Sequence, residues 1–416
     1  MKTLSTLALA AGLGGLTLAA PATAKDKAPP ANTMRLAPAL VKLAGPASAA
    51  LQANDAATAE PLVAQVEAAA SNDGEKYVAA ALRYRLEAVK AAGKTDQSAL
   101  AKPLDALIAN PLTPRADKAR YTYQRAQLAL LGKQYPVAVE YFGRARELGY
   151  TDPALGLSAV KARVDGGDVA GGTAELDRVL AEQATRGEKA PVDYYRYAIA
   201  RSNKSGAAAQ TVAWMTKYAA AYPTGQTWYE ILTAYGLQQG ATAKLDPQGR
   251  LDVYRLLRAA GGLADEAGYL EYVRTAQAAG APQEAQAVLK EGLAAGKIPA
   301  ASAEAKALGV IAAKSAAAKS PTALEAKVKT ATTGVAAAQA ADARLGAGEY
   351  AKAAALYQTA LAKGGVDADA VNTHLGIALA RSGDKAGAQA AFAAVKGAPR
   401  ADLATLWTAW LNSSAG

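Results

Sequence analysis

The chain has 416 residues, 51% of them hydrophobic, with a formal net charge of +10, no Cys and a single His. Without Cys there can be no disulfides or thiolate metal sites, and one His removes the zinc centres that draw on Cys and His in threes and fours. The basic excess favours acidic partners or surfaces, and a chain of this length can stabilise itself by packing alone.

In chain order, Met1-Lys2 supplies one positive charge, Leu4 to Ala20 is an uncharged Leu/Ala/Gly run, and Pro21-Ala22-Thr23-Ala24 ends in small residues at A-x-A spacing. This predicts a secretory signal peptide over 1–24, cut after Ala24. Gly12, Gly14 and Gly15 interrupt the run and argue against a retained anchor. With no Cys after the run, the expected product is a periplasmic or secreted protein rather than a lipoprotein, without a membrane span once the signal is removed. Loss of Lys2 leaves a charge of +9, and export makes nucleic acid an unexpected partner. Residues 25–33, with Pro29-Pro30, read as a linker.

Helical pattern follows almost everywhere. Representative segments are Glu75 to Ala92, Arg115 to Gly132, Pro136 to Leu148, Val192 to Lys204, Gln226 to Gln238, Leu251 to Ala260 and Asp402 to Leu411. Short breaks rich in Gly, Pro, Asn and Asp separate them, such as Asn72-Asp73-Gly74, Gly166-Gly167-Asp168 and Gly261-Gly262, which makes consecutive helices antiparallel neighbours.

A signature recurs along these helices. Tyr135, Ala138, Phe142 and Ala145 are matched 34 residues later by Val169, Gly172, Leu176 and Val179. Further copies are Thr211, Met215 and Tyr218 after Gly206, and Ala285, Leu289 and Gly292 after Gly280. The clearest pair is Gly348, Tyr350, Ala353, Tyr357 and Ala360, followed by Gly383, Ala388, Phe392 and Val395, with Ala353 and Ala388 35 residues apart. A small residue lets two helices approach, and a large one a turn later fills the space between them. This resembles the tetratricopeptide repeat (TPR) family in its Gly-x-Tyr turn, Ala, aromatic and Ala, and in Leu375-Gly376 of the first helix. The resemblance implies an all-α protein, a right-handed α-solenoid of TPR-like antiparallel helical hairpins, each touching only its neighbours. The expected organisation is N-terminal hairpins over 34–112, a TPR-like solenoid over 113–299, an Ala/Lys-rich helical segment and possible hinge over 300–341, and C-terminal TPR repeats over 342–416.

Catalytic readings find little support. Ser158-Ala159-Val160-Lys161 fits an S-x-x-K acyl-enzyme motif and Lys204-Ser205-Gly206 resembles its K-T-G partner, but the second element is missing and the latter sits at a helix turn. Gly346-Ala347-Gly348 has no preceding strand and is explained by the repeat. His374 lacks a second His or an adjacent nucleophile and reads as packed or surface-bound; the adjacent Asp265-Glu266 point to different helix faces and suit a helix start. No catalytic, cofactor-binding or metal-ligating residue is therefore expected.

In the solenoid that the resemblance implies, first helices line the concave face. That places Arg120, Tyr123, Gln124 and Gln127 on one first helix, Lys161 on the next, and Arg196, Tyr197, Asn203 and Lys204 on a third. A basic groove with Tyr suits an extended, acidic protein or peptide segment, since Arg grips carboxylates bidentately. The family's clamp for a terminal carboxylate is absent, because the last two copies carry Ala338 with Asp342 and Thr373 with Ile377. The expected function is a non-enzymatic scaffold for protein interaction in envelope assembly, secretion or cell-wall processes. The alternatives are a binder of acidic envelope glycan or lipid and, more remotely, a cell-wall-active enzyme.

Overall fold

The computed structural model describes residues 34–413. The signal peptide and linker expected over 1–33 lie outside the described residues. Two compact units divide the chain, one ending at Glu188 and the other starting at Lys189.

The first unit holds α1 (Pro38–Gln52), α2 (Ala56–Ala69), α3 (Asp73–Ala91), α4 (Ala101–Ala109), α5 (Arg115–Leu131), α6 (Tyr135–Glu147), α7 (Ala154–Asp165) and α8 (Val169–Thr185). Each helix packs on the next, and α1 also meets α3 as α5 meets α7, the order of stacked hairpins. The start of α3 shows how sequence sets an element. Asn72 accepts from the Glu75 amide at 3.0 Å, while the buried Glu75 carboxylate accepts from Ser71 N, Ser71 Oγ and Ala37 N at 2.8, 2.7 and 3.0 Å. These donors, Ser71 first, hold the Glu75 carboxyl down at about 2 and tie the chain ahead of α1 to α3.

The second unit holds α9 (Val192–Lys204), α10 (Ala208–Ala221), α11 (Gly225–Leu232), α12 (Pro247–Ala259), α13 (Glu266–Ala278), α14 (Pro282–Ala294), α15 (Ala303–Ala318), α16 (Pro321–Val328), α17 (Val335–Gly346), α18 (Tyr350–Lys363), α19 (Ala368–Ser382), α20 (Lys385–Ala394) and α21 (Arg400–Ser413). The helix expected to run to Gln238 instead widens into a π turn over Thr233–Leu237, which buries Tyr235. In the Ala/Lys-rich stretch, α15 buries only Ala305 and Ala312, and α16 buries nothing.

The repeat residues form the core as their pattern requires. Ala138, Phe142, Ala145, Thr211, Met215, Ala285, Ala353, Tyr357, Ala360 and Ala388 are all fully buried. At Gly376 an added Cβ would lie 2.4 Å from the Phe392 ring, so the small residue of one helix seats the aromatic of its partner. Among the described residues there is no strand, and the fold is all-α.

One expectation fails in the second unit, where contacts extend beyond neighbouring hairpins. Helix α21 packs not only on α19 and α20 but also on α10 and α12, and α14 meets α17. The Tyr235 hydroxyl donates to the Pro399 carbonyl at 2.7 Å. This unit closes on itself, because its last described helix packs back on α10, a helix that buries Trp214 and Met215.

Candidate functional site

The nine groove residues fall in both units, five in the first and four in the second. On α5, Gln124 accepts from the Tyr84 hydroxyl of α3 at 3.1 Å, and the Gln127 amide donates to Ser158 Oγ of α7 at 3.2 Å and to Tyr123 at 2.5 Å. Tyr123 stacks on Tyr150, with ring centroids 4.5 Å apart. Arg120 pairs with Asp117 at 2.6 Å and lies over the Tyr121 ring. Lys161 is exposed on α7. Several groove residues thus fasten successive first helices to one another, with Ser158 Oγ accepting from the Gln127 amide.

The second unit repeats the arrangement. The Arg196 fork grips both oxygens of Glu230 on α11, at 3.0 and 2.8 Å, and Glu230 also accepts from the Tyr218 hydroxyl at 3.0 Å. The Glu230 hydrogen bond raises the Arg196 pKa further. The carboxylate that the sequence assigned to a ligand is therefore supplied by the chain itself. The Asn203 amide donates to the Gly240 carbonyl at 3.0 Å, Tyr197 lies beneath Arg201, and Lys204 is exposed.

What the sequence reading missed is a buried charged network in the second unit. His374 on α19 is buried, with Nδ1 3.0 Å from Asp342 on α17 and Nε2 3.2 Å from Asp252 on α12. Burial alone would lower its pKa, but the two carboxylates outweigh burial and lift it to about 9. Asp252 also takes Arg255 at 2.8 Å and Arg400 of α21 at 3.2 Å. Burial would raise its carboxyl, yet His374 and the arginines hold it at about 2. Arg255 reaches Glu284 of α14 at 2.6 Å, Tyr272 donates to Glu284 at 2.7 Å, and Tyr357 donates to Asp342 at 2.6 Å. Three carboxylates meet two guanidiniums and an imidazolium, so the network is neutral as a whole. With a carboxylate at each ring nitrogen, His374 has no free position from which to act as a base. The signal was present in α12, whose Asp252 and Arg255 occupy buried positions of a helix that the sequence already delimits as Leu251 to Ala260.

Among the described residues, no group of three or more His, Cys, Asp or Glu is placed to hold a metal ion, and no helix is long and apolar enough to cross a membrane.

No family model matches the chain, and no curated protein matches it by sequence. Among solved structures it is similar to the crystal structure of the pentatricopeptide repeat protein PPR10 from maize, at 15% identity and a TM-score of 0.34 over 86% of this chain. The match spans about half (54%) of that protein's chain. It is also similar to the APC/C hetero-tetramer Cut9–Hcn1, at 11% identity and a TM-score of 0.20 over 88% of this chain and 96% of that one. At these scores the fold rests on the chain's own helices and buried repeat residues, not on the overlays.

Proposed function

We propose that the chain is a non-enzymatic scaffold, exported across a membrane, that holds an acidic, extended protein segment along its first helices during an envelope process. The observation that carries this reading is the polar strip from α3 through α5 to α7, in which Tyr84, Gln124, Gln127 and Ser158 join successive first helices with Lys161 exposed beside them. Such a strip is fixed before a ligand arrives, which lowers the cost of binding. The charge available to a ligand on this strip is Lys161, which is exposed and makes no ion pair among the described residues.

Crosslinking in the native compartment followed by mass spectrometry tests the reading. Acidic protein segments are expected at Lys161, with recovery lost in the Lys161→Glu variant while the helical signal is kept. Full recovery of the same partners by that variant removes the groove assignment. For export, N-terminal sequencing is expected to begin at Lys25, and intact Met1 in the cytoplasm would refute it.

A further inference from the structure

We infer that the unit starting at Lys189 carries a binding site for a small monovalent anion of chloride size, in a cavity of about 20 Å³ between α12, α18, α19 and α21. The site goes beyond the peptide-binding reading, because none of its lining residues belongs to the proposed strip.

The donors on the wall are the first argument. Trp407 of α21 lines the cavity and is fully buried, and its Nε1 has no hydrogen-bond partner among the described residues. An indole N–H can only donate, and a buried donor without an acceptor is costly. Arg381 of α19 lies over the ring of Tyr350 on α18, 5.3 Å from its centroid, and both line the same cavity. Neither of these two side chains makes a hydrogen bond or ion pair among the described residues. Arg258 of α12 also lines it and keeps Nη1 for a ligand, since Glu291 takes only its Nε and Nη2.

Charge is the second. Glu284 supplies the carboxylate on this wall, and Arg255 and Tyr272 already occupy both of its oxygens. Around it, Arg255, Arg400 and His374 balance Asp252, Glu284 and Asp342, and Arg258 balances Glu291. The guanidinium of Arg381 is the charge left over, and one monovalent anion answers it. The buried side chains of Leu345 and Ile377 complete the wall, so an ion there feels the guanidinium through less water than at the surface. A cation would meet only donors, and an apolar guest would strand them.

Size is the third. One water-sized guest needs about 10–15 Å³ of such space, so the cavity admits a single compact ion and is too small for sulfate or phosphate.

The Trp407 indole N–H resonance reports occupancy directly, in the full chain carrying isotope-labelled tryptophan. Overhauser contacts to the Phe392 ring, on which Trp407 stacks, identify the signal. Sodium chloride is titrated in exchange for sodium gluconate, so that ionic strength and hence screening stay constant. Chloride and bromide are expected to move the resonance and saturate at millimolar concentration, whereas sulfate leaves it in place. Arg381 is partly exposed, so Arg381→Gln is expected to keep the melting temperature while weakening chloride about tenfold or more. Tyr350→Phe, which keeps the ring beneath Arg381, should weaken it less. Three results would overturn the site: no movement with chloride, which leaves the cavity to water; an equal response to sulfate; or a chloride response unchanged in Arg381→Gln.

Discussion

His374 shows how one side chain can make stability depend on pH. Its pKa of about 9 in the fold lies above the ordinary 6.5, so its contribution is complete below about 6.5 and is lost as the pH rises through 9. Asp252 acts in the opposite sense: held at about 2 against an ordinary 3.8, it contributes above 3.8 and is lost as the pH falls through 2. The melting temperature of the second unit is therefore expected to be flat between these limits and to fall on both sides. The alkaline fall should be absent in His374→Gln, and an identical alkaline profile in that variant would assign the loss elsewhere. Arg255 is the more fragile partner, since its removal leaves Glu284 and Asp252 buried without it. Arg255→Met is expected to cost about 3–5 kcal/mol in denaturant melts, and adding Glu284→Gln should return part of that.

At the scale of the helix, glycines with the same local conformation have opposite consequences. Gly376→Ala pushes a methyl group into a Phe392 ring that is itself stacked on Trp407, and is expected to cost about 1–3 kcal/mol. Gly143 in α6 has nothing within 4 Å of an added Cβ, so Gly143→Ala should stabilise by about 0.5–1 kcal/mol. Thermal melts of the two variants decide it, and a shift of the same sign in both would contradict the packing. The helices were legible because their periodicity reports burial directly: Ala388 and Phe392, or Ala138 and Phe142, are where the repeat puts them. α12 was harder to read, since Asp252 and Arg255 are polar residues doing the work of core residues, and only the partners brought by α14, α19 and α21 explain them. The groove was legible as a face but not as a set of bonds, because nothing near Arg196 in sequence announces Glu230, 34 residues away.

For the molecule as a whole, the two units differ in kind. All four Trp, at 214, 228, 407 and 410, lie in the second, so tryptophan fluorescence reads that unit alone. Ending the chain after Lys396 removes α21 and uncovers α10. The fluorescence melt of Trp214 and Trp228 is then expected to move down, while amide exchange in α3 and α5 stays as in the full chain. An unchanged fluorescence melt would show that closure contributes nothing to the unit.

The closure also sets an order in time. The first unit is built from contacts between consecutive hairpins and can assemble one hairpin after another. The bond from Tyr235 to Pro399 joins positions 164 residues apart. Contacts of that separation are made late and slowly, because the entropy of closing the loop is lost before the contact returns it. During that interval the face of α10 that meets α21 and the Asp252 oxygen that Arg400 takes are open to water, so the second unit spends longest in the state most exposed to aggregation and proteolysis.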